Sequence, residues 1–157
     1  MLASGFTESC YDGLPFFSTD HPQTNTDGDE STVSNMQAGA EDAWYLLDTS
    51  RAVRPLIWQE RDSYQFQSLA SHDDSHVFLN DEYIYGVRAR VNAGFGLWQL
   101  AFGSKEALTA ENYAAARALM KNFRSENGRI LGINPTTLVV PARAGRRRPA
   151  DREHGAG

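Results

Sequence analysis

Two stretches decide most of what this chain can fold into. Trp44 to Gln59 reads W-Y-L-L-D-T-S-R-A-V-R-P-L-I-W-Q, and Asp81 to Gly103 reads D-E-Y-I-Y-G-V-R-A-R-V-N-A-G-F-G-L-W-Q-L-A-F-G. Both are crowded with aromatic and β-branched side chains, which suit a pleated, half-buried surface. Both also carry arginines that fit the edges or the polar face of a sheet. The pattern predicts strands at Ala43–Leu46 and Pro55–Gln59, separated by the polar turn Asp48-Thr49-Ser50-Arg51. Ser63–Leu69 alternates, placing Tyr64 and Phe66 on one face. Pro55 has no amide hydrogen to donate, so it belongs at a strand start or an edge.

A different period begins at Leu108. Thr109 is a suitable N-cap, Glu111 sits where its charge suits the helix dipole, and the alanines have high helix propensity. Tyr113, Ala116, Leu119, Met120 and Phe123 recur at helical spacing, with Arg117, Lys121 and Arg124 largely off that face, so the stripe reads as core over Leu108–Arg124. Asn127-Gly128 is expected to give a left-handed stop. Ile133-Asn134-Pro135 then leads into a strand over Thr136–Val140, whose apolar run predicts burial on both faces. Near the start, Tyr11-Asp12-Gly13 supplies the residue types of a tight turn. Ser18–Glu41 is almost free of apolar residues and reads as a long mobile loop, ordered only against neighbours. A helix on a strand, preceded by an antiparallel strand set, is an α+β arrangement.

Composition removes several function classes. The length of 157 residues with 41% hydrophobic content is that of one domain. A net charge of -5 argues against a dedicated nucleic-acid binder. Arg143, Arg146, Arg147, Arg148 and Arg152 cluster in the last residues, where they could neutralise phosphates without reading sequence, and they mask a more acidic body. From Ala142 to Gly157 there is no large apolar residue, so this tail adds nothing to a core. The single cysteine, Cys10, excludes an intrachain disulfide and points to a reducing compartment. With no partner in view it reads as a small buried or turn-flanking residue rather than a nucleophile. No apolar run is long enough to cross a bilayer as a helix, and the start lacks the layout of a signal peptide.

The motifs that invite chemistry are weak. His72-Asp73-Asp74-Ser75-His76 offers imidazole and carboxylate, the ligand types of a metal-dependent hydrolase. A polar loop leading into a strand Val77-Phe78-Leu79 is the simpler reading. His21 before Pro22 reads as turn packing. Gly94-Phe95-Gly96 and Gly103-Ser104-Lys105 have the wrong spacing for a dinucleotide or phosphate loop, so their glycines are expected to bend a strand or let backbones approach. No nucleophile, base and oxyanion donor fall into one arrangement.

Several further segments stand in a distinctive order with the two opening stretches: G-F-T-E-S-C-Y-D-G at Gly5–Gly13, Phe16-Phe17, Asp20-His21-Pro22, L-T-A-E-N-Y-A-A-A-R-A-L-M at Leu108–Met120 and L-G-I-N-P-T-T-L-V-V-P at Leu131–Pro141. Over residues 1–141 the chain resembles the major head subunit of Mu-like phages and prophages, the T protein family. The resemblance implies a part of the tailed-phage major capsid fold of the Hong Kong 97 type. Family members are longer, and Met1 falls where they finish a long central helix, so the chain is expected to be a truncated prophage remnant.

The implied segments are 1–17, the end of that helix and a turn; 18–42, the mobile polar loop; 43–103, strand-rich; 104–141, helix plus strand; and 142–157, a disordered basic tail expected to be out of frame. The implied function is structural: self-assembly into an icosahedral shell enclosing DNA, in the virion and, during assembly, in the bacterial cytoplasm, without a cofactor or catalytic step. The implied partners are other copies of the subunit, scaffold, protease and portal proteins, and packaged DNA held non-specifically. Symmetric shells rest on many repeated modest contacts, so surface arginines and aromatics are the candidate interface residues. These are Arg51, Arg54, Arg61, Arg88 and Arg90 as charge partners, with Trp58 and Trp98 as packing anchors.

Overall fold

In the computed structural model residues 1–25, 27–71, 73, 75–125 and 127–142 are described. They fall into two compact units, Met1–Pro55 with the chain from Phe95 onward, and Leu56–Gly94. The division expected at 103/104 is therefore not a boundary between compact units.

The first unit is organised around the double aromatic. A 3-10 turn at Ala3–Phe6 brings Gly5 beneath Phe17, whose amide donates to the Gly5 carbonyl at 2.8 Å. A Cβ on Gly5 would stand 3.0 Å from the Phe17 ring, so glycine is what lets the turn close on it. The expected turn at Tyr11–Gly13 is present, with Gly13 at φ 81.

Ser18–Glu41 is not a structureless loop. It contains β1 (His21–Thr24), β2 (Glu30–Val33) and the short β3 (Met36–Gln37). β1 and β2 pair antiparallel, with His21 opposite Val33. Their connection is held by Asn25, whose Oδ1 accepts from the amides of Asp27 and Asp29, and by Gly28 at φ 90. These strands are polar because one side faces water, so their period carries no hydrophobic signal.

A four-stranded sheet forms the centre, in the order β3-β7-β4-β8, where β4 is Trp44–Leu47, β7 is Ala101–Ser104 and β8 is Thr137–Val139. β3 runs parallel to β7, and β4 is antiparallel to both β7 and β8. All residues of β4 and β7 are buried. The core around them is Phe16, Phe17, Trp98, Met120, Phe123 and Ile133, and the Trp44 indole is satisfied by donating to the Glu106 carbonyl at 2.8 Å. β8 corrects the sequence reading: it is an edge strand, with Leu138 44% exposed. An apolar run of this length does not separate a central strand from an edge that another surface could cover.

α2 (Ala110–Asn122) matches its expected place, and the Thr109 hydroxyl accepts from the Asn112 amide at 3.1 Å. Ala116, Met120 and Phe123 face the core, whereas Leu119 flanks the stripe and is 40% exposed. The helix ends earlier than Asn127-Gly128 suggested, because Phe123 turns to extended backbone (ψ 138). Gly128, at φ 71, serves a separate turn closed by the bridge Arg124–Ile130.

The second unit is a ribbon of two strands, β5 (Leu56–Leu69) and β6 (Ile84–Phe95, its last residue in the first unit), with α1 (Ser75–Asn80) between them. β5 is one strand of 14 residues where two pieces were expected. Arg90 meets Asp62 at 3.7 Å and the Phe66 and Tyr85 rings stack at 6.1 Å, pairs whose order is that of a hairpin. Val77-Phe78-Leu79 is helical, not a strand. Asp81 ends the helix at φ 52, its amide reaching back to the Val77 carbonyl at 2.8 Å. Three apolar residues cannot fix a period of two against one of 3.6.

Candidate assembly surface

The described residues hold one cluster with the chemistry of a metal site, Cys10, Asp12 and His21. Its geometry is that of a satisfied hydrogen-bond network. The Cys10 thiol donates to Asp12 Oδ1 at 2.9 Å, and His21 Nδ1 lies 2.6 Å from Asp12 Oδ2. His21 is fully buried, its Nε2 is 3.3 Å from the Phe16 carbonyl, and its ring stacks on Trp98. Burial, reinforced by Asp12, pushes the Cys10 thiol up to about 11, so in this network it is held as the protonated donor to Asp12. Burial alone would raise the Asp12 carboxyl; the hydrogen bonds from Cys10, His21 and the Leu14 amide outweigh it and hold Asp12 below the usual carboxylate range. The network ties the Tyr11–Gly13 turn to β1.

The other sequence candidates for chemistry are quickly placed. His72 and Asp74 lie outside the described residues, as do Arg143, Arg146, Arg147, Arg148 and Arg152. His76 is on α1, with Nε2 3.7 Å from the Glu82 carboxylate. Gly96 and Gly103 are close-approach positions: added Cβ atoms would stand 2.1 Å from the Arg54 carbonyl oxygen and 2.9 Å from the Phe17 ring. Ser104 is buried and donates to Gln37 Oε1 at 2.8 Å. The amides of Gly96, Gly103 and Lys105 are bonded to the carbonyls of Pro55, Asn35 and Gln37, so they are not free to hold a phosphate.

The seven residues chosen from the sequence separate into three groups. Arg51 is engaged within its own unit. It contacts Asp48 at 3.4 Å, and its Nη2 donates to the carbonyls of Leu131 and Gly132 at 2.7 and 3.0 Å. Asp48 itself is buried and accepts from the Ser50 amide and hydroxyl and the Asn134 amide. Trp98 is not a surface anchor. It is 1% exposed, 4.2 Å from the His21 ring and edge-on to Phe123, because the 3-10 turn Trp98–Leu100 that follows β6 carries the indole inward. Arg54 is exposed at the end of the first unit, and Trp58, Arg61, Arg88 and Arg90 are all exposed on the ribbon.

Sequence reasoning missed how far this exposure extends. Trp58 is 62% exposed, and Tyr64, Phe66, Tyr85 and Val87 are at least as open; on α1, Phe78 and Leu79 reach 82% and 76%. Val77 is the one buried residue among those described in the ribbon. The visible signal was the alternation of large side chains on both strands without a second apolar element to cover them. In the first unit, a hollow of about 380 Å³ opens over Leu97, Leu100, Leu131 and Ile133, with Arg51 on its edge. An adjoining one of about 390 Å³ adds Arg129 and Ile130.

Comparison with known proteins places this architecture. The family model "Mu-like prophage major head subunit gpT" matches residues 1–148. The major capsid protein of Escherichia phage Mu is 42% identical over 147 residues, covering 90% of this chain and 48% of that protein. The FluMu major head subunit of Haemophilus influenzae is also 42% identical, over 89% of this chain and 48% of its own length. The chain thus spans about half the length of these relatives. Among solved structures, the procapsid of bacteriophage JBD30 superposes with a TM-score of 0.77 at 47% identity, over 92% of this chain and 50% of that one. The fold is thus an α+β part of a tailed-phage capsid fold, and the chain belongs to the Mu-like prophage major head subunit gpT family.

Proposed function

We propose that this chain acts as a shell subunit, associating with copies of itself to build an icosahedral phage head around DNA. The observation that carries the reading is the ribbon Leu56–Gly94, whose long strands expose the aromatic side chains of Trp58, Tyr64, Phe66 and Tyr85 to solvent. Exposed apolar area of this extent on a folded protein marks an interaction surface. Such a surface suits a particle in which each copy is surrounded by others. Arg54, Trp58, Arg61, Arg88 and Arg90 are the contact residues of this reading. Scaffold, protease and portal proteins are its further partners, and DNA would be held non-specifically by the inner face. The site of action is the virion, with assembly in the host cytoplasm. No described helix is long and apolar enough to cross a membrane.

The test is Arg88→Glu in a version extended to the full length of the relatives. Particle yield by negative-stain microscopy should fall several-fold while the circular dichroism of the unassembled subunit is unchanged. Unchanged particle yield would remove Arg88 from the interface. Failure of the unsubstituted extended protein to form particles would count against the shell reading itself.

A further inference from the structure

We infer that the tip of the ribbon of one copy docks into the apolar hollow of the first unit of a second copy, Phe78 and Leu79 entering over Leu97, Leu131 and Ile133 while Glu82 faces Arg129. The inference rests on the shell-subunit reading and names its contact.

Three observations converge on a second copy as the occupant. The most exposed large apolar side chains of the chain are Phe78 and Leu79, adjacent on the short helix α1. A neighbouring pair of this kind is a hot-spot type anchor, large enough to fill a pocket and expel its water. Of the two adjoining hollows, about 380 and 390 Å³, the first leaves Leu97 40% exposed above the buried Leu100 and Ile133, and the second, more polar one leaves Ile130 49% exposed beside Leu131. The charges are complementary: the tip carries Asp73, Asp81 and Glu82, all exposed, while the hollows are edged by Arg51 and Arg129. Arg51 is turned toward the Leu131 and Gly132 carbonyls, which leaves Arg129, exposed at the rim, as the partner for an incoming carboxylate. Opposite charges around an apolar anchor fix orientation and reject wrong partners.

Tip and hollow lie on different parts of the chain, so the contact is heterologous: each copy gives a tip and receives one. Contacts of that kind run head to tail and close into rings when the rotation allows.

The test is sedimentation velocity of the 157-residue chain over a concentration series. The expected result is self-association weakened about tenfold by Phe78→Asp and by Arg129→Glu. Combining Glu82→Arg with Arg129→Glu in one chain should restore most of it. Phe78 and Arg129 are both exposed, so these changes leave folding intact, which far-UV circular dichroism verifies. Association that persists unchanged in Phe78→Asp overturns the docking and leaves the shell reading standing. Equal loss in the Glu82→Arg, Arg129→Glu double variant and the single ones overturns the charge pairing. A chain that remains monomeric at every concentration overturns the docking and leaves the shell reading to be decided by the extended protein.

Discussion

Trp98 and Trp58 stand in similar aromatic company in the sequence, and the structure gives them opposite roles. The Trp98 indole is 1% exposed, stacked on His21 at 4.2 Å and edge-on to Phe123 at 5.5 Å. Trp98→Ala removes a fully buried aromatic and leaves a cavity between β1 and α2, at a cost of about 3–5 kcal/mol. That is a large fraction of the ~5–15 kcal/mol available to a domain of this size. With a urea dependence of about 2 kcal/mol per molar, a loss of ~4 kcal/mol moves the unfolding midpoint down by about 2 M. Trp58 is 62% exposed, so Trp58→Ala should change stability by no more than about 0.5 kcal/mol, a midpoint shift of roughly 0.25 M. The assay is urea unfolding followed by far-UV circular dichroism, because indole fluorescence itself is altered by the substitutions. Trp98→Phe, which keeps a ring for His21 to stack on, should fall between the two. The core assignment would be refuted by equal midpoint shifts for the two alanine variants. It would equally fail if Trp98→Ala kept its midpoint and lost only self-association.

Two further outcomes follow from the first unit. Asp12 and Asp48 are nearly or fully buried carboxylates; burial would raise both, and their hydrogen-bond donors outweigh it and lower them. A carboxylate depressed in the folded state contributes stability that is complete above its unfolded value, near pH 4, and is lost as pH falls through the folded value. Thermal melts should therefore be flat from about pH 7 to 5 and drop below about pH 4, less steeply in Asp48→Asn; a variant as acid-sensitive as the parent would show that Asp48 is not responsible. Gly96→Ala would bring a Cβ within 2.1 Å of the Arg54 carbonyl oxygen, whereas Gly94→Ala meets nothing within 4 Å. The first should cost about 1–3 kcal/mol and the second no more than about 0.5, and equal melting temperatures would refute the close approach.

What the sequence discloses here is what depends on neighbours along the chain. α2 is legible because its cap, its alanines and its stripe are all local, and so is β4, a dense run of large apolar residues. The β1–β2 hairpin is not legible, since its strands alternate among Thr, Gln, Ser and Glu and its order depends on Asn25 and Gly28 in the turn. The burial of His21 depends on Trp98, far along the chain, and on the Asp12 carboxylate, none of which the dipeptide His-Pro discloses. Leu119 and Leu138 were misread for the opposite reason: local hydrophobic pattern marks a residue as suited to burial, and the fold of one copy does not always supply the cover. The same holds on a larger scale for the ribbon. Its strands, which carry Arg61, Arg88 and Arg90, are longer and more exposed than the pattern implied.

The composition of the ribbon makes physical sense only if it spends part of its existence uncovered. A two-stranded ribbon has little stability of its own in water, and this one buries a single residue among those described, Val77. Long exposed strands of aromatic residues also invite indiscriminate edge pairing. Glu60, Arg61 and Asp62 interrupt β5 between Trp58 and Tyr64, and Arg88 and Arg90 follow Tyr85 and Val87 on β6. Charges in that setting raise the cost of stacking against an arbitrary partner while leaving a matched surface favourable, since a neighbour can offer the opposite charge at each place. On the proposed shell reading, the same arginines would both protect a free subunit from aggregation and set its register against a neighbour. Phe78 and Leu79 have no such interruption between them, which is why the tip, rather than the shaft, is where apolar contact should contribute most.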